Sequence, residues 1–192
     1  MVGLRFISNF SYLTIFEVVR IITPFLVYPF LVTRLGPDVF GLVVFAQTVV
    51  SYFNVIIDYG FNISAVQAIA KNSNCLDKLS SIVNTVYFIK AVLFALSFLL
   101  LLCFSLIFKV VGDNLLLFVL SMSFCFHETV IPIWFFQGVE RMKNISIVSF
   151  VSKLIYVVLV FLFIRDSNDF LLVPIFNFVG SLAAAVLSIF IL

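Results

Sequence analysis

The stretch FEVVRIITPFLVYPFLV, residues 16 to 32, is long and apolar enough to enter a membrane, yet it carries Glu17 and Arg20. A helix needs roughly 20 apolar residues to cross the hydrocarbon core, and the run from residue 10 to 33 supplies them. A cleavable signal peptide has a short uninterrupted apolar stretch, so the two charges mark this run as a permanent span. Composition agrees. The chain of 192 residues is 64% hydrophobic and 10% charged, against roughly 25% charged in an ordinary soluble domain. A water-soluble fold could not hide so much apolar surface. Cuts at charge and turn clusters leave six apolar runs, at 10–33, 39–60, 80–107, 114–136, 145–164 and 171–192. The fold class expected is an all-α membrane protein with six transmembrane helices in a single domain, 1–192.

Orientation follows from the loops. With the N-terminus inside, Arg5, Lys71, Lys78, Arg141 and Lys143 lie on the cytoplasmic side and Arg34, Lys109 and Arg165 on the other, the sense expected from the positive-inside rule. Tyr12, Tyr59 and Trp134 then fall at the inner interface, where amphipathic rings anchor. Net charge is only +2, and no soluble basic patch exists for a nucleic acid. Cys75, Cys103 and Cys125 form neither a disulfide framework nor a metal-ligand spacing, so no metal and no cofactor are implied. The Asn-x-Ser triplets at Asn9, Asn62 and Asn144 lie on the cytoplasmic side and read as chance matches. The loops are short, which leaves no room for an extramembrane catalytic domain. The run at 171–192 ends without a polar flank, which reads as a partial or truncated product.

Polar residues inside the runs recur at steps of three and four, which places them on one helical face. The first run shows Thr14, Glu17, Arg20 and Pro24; the second Gln47, Ser51, Asn54 and Asp58; the fourth Ser121, Cys125, Glu128 and Pro132. The fifth has Ser146, Ser149, Lys153 and Tyr156, and the sixth Asn177, Ser181, Ala184 and Ser188. The third is weaker, with Ser80, Asn84, Tyr87 and Ala91 on one line and Lys90 beside it. Such stripes describe a bundle around a polar interior. Arg20, Lys90, Lys153 and Glu128 all come near mid-membrane, with Glu17 and Asp58 closer to the cytoplasm. At roughly 2.5 to 3.5 kcal/mol for each exposed midplane charge, six of them facing lipid would cost about 15 to 20 kcal/mol. They must face a cavity or one another. Glu17 and Arg20, three apart, can neutralise each other, whereas Lys90 and Lys153 have no acid on their own helices. His127 neighbours Glu128, but adjacent helical residues do not share a face, so it reads as a packing residue. Pro24, Pro29, Pro132 and Pro174 remove backbone donors within spans and are expected to kink them.

Three segments carry a family resemblance: PFLVYPFLVTRLGPDVFGLVVFAQ at 24–47, DYGFNISA at 58–65 and IPIWFFQGVERMKNIS at 131–146, with VPIFNFVG at 173–180 in the same series. Together they resemble the flippases of bacterial O-antigen and capsular polysaccharide loci, within the multidrug/oligosaccharidyl-lipid/polysaccharide flippase superfamily. The resemblance implies one six-helix lobe of a twelve-helix, MATE-like fold in the bacterial inner membrane, paired with a second lobe or with a second copy as a homodimer. It further implies a lipid-linked oligosaccharide on undecaprenyl diphosphate as substrate, passed between leaflets by alternating access. On that reading Arg20, Lys90 and Lys153 meet the diphosphate, because an Arg fork binds phosphate oxygens in pairs and Lys acts as a point charge. Gln47, Ser51, Asn54 and Asn177 hydrogen-bond sugar hydroxyls, and Glu17, Asp58 and Glu128 are candidates for ion or proton coupling. Three other readings stay open: a drug/cation antiporter of the same superfamily, a membrane-embedded transferase whose only candidate dyad is His127 with Glu128, and an inactive fragment.

Overall fold

The computed structural model describes residues 2–72 and 75–191, with side chains from Phe10 onward. The side chains of Arg5 and Asn9, the centre of the 71–78 loop and Leu192 lie outside the described residues. Within them all regular structure is helical. The helices are α1 (Val2–Leu35), α2 (Pro37–Asp58), α3 (Phe61–Lys71), α4 (Leu76–Ile107), α5 (Lys109–Asp113), α6 (Leu115–Ser121), α7 (Ser123–Val130), α8 (Ile133–Gly138), α9 (Met142–Phe163) and α10 (Leu172–Ile191). A short 3-10 turn, Ser167–Leu171, leads into α10. Six helical stretches are long and apolar enough to cross a membrane: Phe10–Leu35, Pro37–Lys71, Leu76–Ile107, Leu115–Gly138, Met142–Phe163 and Ser167–Ile191. The chain is an all-α, multi-pass membrane protein.

Two of these spans are broken. The second bends after Asp58, where Tyr59 (φ 43) and Gly60 (φ 81) adopt left-handed backbone, and helix resumes as α3. Glycine takes that conformation without steric cost, whereas tyrosine takes it under some strain. The fourth span is a chain of three short helices. Its second break falls at Ile131 and Pro132 because proline has no N–H to donate and its ring crowds the preceding turn. Pro24 and Pro29, by contrast, stay inside an unbroken α1. Pro174 sits in the first turn of α10, where backbone N–H groups have no intrahelical acceptor in any case.

α9 packs between α1 and α10, and α7 between α2 and α10, while α1 meets α2. These five helices close a ring. α4 packs outside it, against α2 and α7, which explains why the third run shows the weakest polar stripe. On α2 the buried seam Val43, Ala46, Val50, Phe53 and Ile57 advances by threes and fours, and the polar stripe runs along its edge. Large apolar side chains such as Phe25, Leu106 and Phe190 remain exposed, as expected of a surface whose solvent is lipid.

Two expectations change. From Ser181 onward the sixth-run stripe is not a wet wall: Ser181, Ala184 and Ser188 are all buried. Small residues let membrane helices approach closely, and α10 uses this line to pack inward against its neighbours. Trp134 does not present its ring to the outside either. It is 1% exposed and meets Tyr87 edge to face at 5.9 Å, because the break before α8 turns it back into the protein.

Candidate functional site

The ring opens on a polar cleft of about 570 Å3. α1 contributes Glu17 and Arg20, α2 contributes Asn54 and Asp58, the residues flanking the α2–α3 and α7–α8 breaks contribute Asn62, His127 and Glu128, and α8 adds Gln137. α9 supplies Ser149 and Lys153. A smaller recess of about 70 Å3 continues toward the α1–α2 turn. It shares Arg20 and Lys153 with the cleft and adds Thr23, Tyr28, Gln47, Tyr156 and Asn177. Charge is therefore segregated. Glu17, Asp58 and Glu128 line only the wider cleft, while the recess holds two cations and no carboxylate.

The ion pairs differ in kind. Arg20 Nη2 lies 2.8 Å from Glu17 Oε2, with side chains 65% and 47% exposed. Open pairs of this sort contribute about 0 to 1 kcal/mol, so Glu17 holds the guanidinium only loosely. Among the described residues Lys153 forms no ion pair. Lys90 is fully buried behind the cleft, 3.5 Å from Asp58 Oδ1. It does not line the cleft, because it belongs to the span outside the ring. Ser51 also stays off both the cleft and the recess; its hydroxyl donates to the Thr48 carbonyl at 2.6 Å. Asn54 lines the cleft with its Oδ1 buried and without a hydrogen-bond partner, so turning that amide toward a donor would break no existing bond. Glu128 Oε1 accepts from Asn62 Nδ2 at 3.4 Å. No group of three His, Cys, Asp or Glu among the described residues is placed to hold a metal ion.

Several lining residues escaped the stripe reading. His127 lines the same cleft as Glu128, since both belong to the last turn of a helix that ends there. Its Nδ1 is 3.0 Å from Ser181 Oγ, and that hydroxyl already donates to the Asn177 carbonyl at 2.9 Å. With its own hydrogen on that carbonyl, the Ser181 oxygen can accept from the ring. Tyr28 donates to Gln47 Oε1 at 3.4 Å, and with Tyr156 it gives the recess two aromatic walls. Tyr28 follows Thr14, Glu17, Arg20 and Pro24 at the next step of four. Carrying the first stripe one step further, as the fifth is carried to Tyr156, would have reached it.

The sequence profile described as polysaccharide biosynthesis protein matches residues 6–192. A protein of Escherichia coli (strain K12) named as an O-antigen transporter is 30% identical over 181 residues, which is 94% of this chain and 44% of the relative. One of Shigella dysenteriae with the same name is 27% identical over 171 residues, 88% of this chain and 42% of its own length. The chain thus spans less than half the length of these relatives. No solved structure matches it significantly.

Proposed function

The chain belongs to the polysaccharide biosynthesis protein family, and on that premise we propose that it forms one lobe of a flippase for lipid-linked oligosaccharides. The substrate class is an oligosaccharide on undecaprenyl diphosphate, carried from the cytoplasmic to the periplasmic leaflet of the bacterial inner membrane. The relatives' names supply the sugar-polymer context. The observation that carries the reading is the carboxylate-free recess with Arg20 and Lys153 at its entrance. A diphosphate entering a low-dielectric interior needs fixed cations, and acids in the same recess would repel it.

On this reading Arg20 and Lys153 hold the diphosphate, Gln47, Asn54 and Asn177 bond sugar hydroxyls, and the tyrosines offer faces to sugar rings. Glu17, Asp58 and Glu128 in the wider cleft are the carboxylates available for ion or proton coupling. With Arg20 and Glu17 so open, the cleft lacks a wall. A second six-helix lobe, or a second copy, would complete it and allow alternating access, with the N-terminus in the cytoplasm. The protein acts as a carrier and not as an enzyme.

Deleting the gene and measuring the leaflet distribution of the diphosphate-linked oligosaccharide tests the reading. Accumulation on the cytoplasmic leaflet, reversed by the cloned gene, is expected. An unchanged distribution sinks the proposal and favours the cation antiporter, in which the acids of the cleft would bind the substrate.

A further inference from the structure

Lys90 is the charged side chain that the proposed passage does not use. It reaches in from α4 and is completely buried. Besides Asp58, its ammonium meets the main-chain carbonyl of Glu128 at 3.3 Å. Both partners stand at helix breaks. Asp58 ends α2, immediately before the left-handed pair Tyr59 and Gly60. Glu128 lies in the last turn of α7, and in a continuous helix its carbonyl would accept from the N–H of residue 132. Residue 132 is proline, so that donor does not exist. Tyr87, three residues before Lys90 on α4, donates to the Val130 carbonyl at 3.1 Å. Two donors on one face of α4 therefore satisfy carbonyls that the α7–α8 break leaves free, and one of them also ties down the end of α2. Removing either acceptor would leave the buried Lys90 ammonium less compensated.

Beyond the two breaks, α3 and α8 pack as one piece. A Cβ on Gly138 would stand 2.6 Å from Ile69 Cβ, and Ala65, Ile69 and Trp134 share a single buried cluster. The near ends of this piece, at Asn62 and Ile133, line the cleft. Lys90 touches both of its joints.

We propose that Lys90 is a positioning residue, a buried strut that pins the α2–α3 and α7–α8 joints to each other and so sets the α3–α8 pair at the cleft mouth. It does not meet the substrate. The inference rests on packing and hydrogen bonding and stands whatever molecule the cleft carries.

Hydrogen exchange measured by mass spectrometry on the full-length protein in lipid nanodiscs tests it, following residues 59–71 and 131–141. Lys90→Met is expected to speed exchange in both segments by about tenfold or more, the loss of charge-assisted bonds to each. Tyr87→Phe should speed the second segment more than the first, since the bond it loses is to the Val130 carbonyl. Lys90→Arg should hold both segments near wild-type rates. The charge swap Lys90→Asp with Asp58→Lys should not, because a carboxylate cannot donate to the Glu128 carbonyl. Wild-type exchange in Lys90→Met, or full rescue by the swap, overturns the proposal; the latter would reduce Lys90 to a plain ion pair. If Lys90→Met fails to insert, Asp58→Asn decides: it removes the charged tie to the end of α2, so wild-type exchange across residues 59–71 refutes the strut.

Discussion

Replacing Arg20 and Lys153 together with alanine is expected to abolish transport of the diphosphate-linked oligosaccharide while the protein still reaches the membrane at wild-type level. Each cation can contribute charge-assisted hydrogen bonds of about 1.5 to 3 kcal/mol to phosphate oxygens, so losing both lowers the rate by roughly a hundredfold or more. Folding should tolerate the change. Arg20 is exposed with only a loose tie to Glu17, and Lys153 forms no ion pair among the described residues. Arg20→Lys separates charge from geometry. A point charge remains but the paired fork is lost, so partial transport is expected. The readout is periplasmic-leaflet oligosaccharide normalised to immunoblotted membrane protein. Equal transport by wild type and the double variant would remove both cations from the mechanism and with them the role assigned to the recess.

The second large effect is structural. Gly180→Leu is expected to collapse the yield of monodisperse protein extracted in mild detergent. A Cβ at residue 180 would lie 2.5 Å from the main-chain oxygen of Ser152, and a helix backbone cannot rotate aside as a side chain can. α9 and α10 would have to part along the buried small-residue line of α10. Overpacking in tight interiors costs about 1 to 3 kcal/mol, occasionally more, and here the strain falls beside Lys153. Even Gly180→Ala should therefore lower transport. Gly41→Leu is the control, because its Cβ would meet nothing within 4 Å; like the wild type, it should extract and transport normally. Intact, active Gly180→Leu protein would show that the α9–α10 contact is looser than its geometry.

Much of the site was legible as a list. The stripes named Glu17, Arg20, Asn54, Asp58, Glu128 and Lys153, and all six line one cleft, because three-and-four spacing reports a shared helical face directly. The method failed where a stripe served packing. Ser181, Ala184 and Ser188 show the same spacing as Ser51, Asn54 and Asp58, yet they are buried and line neither the cleft nor the recess. Spacing tells which residues share a face, and not what the face meets. His127 was read as a packing residue because adjacent helical residues do not share a face, yet the cleft is wide enough to take both His127 and Glu128 into its lining.

The sequence by itself determined that this is a six-span helical membrane protein with ionisable groups in its interior. Span length, apolar content and periodicity are properties of contiguous residues, and the cost of charge in lipid is independent of the fold. Only the tertiary structure decided which partner each charge takes. Lys90 finds Asp58 from 32 residues away and a carbonyl 38 residues away, and both contacts depend on where two helices break and which span stands outside the ring. Such pairings arise from the closure of the bundle, so no stretch of the chain read alone contains them.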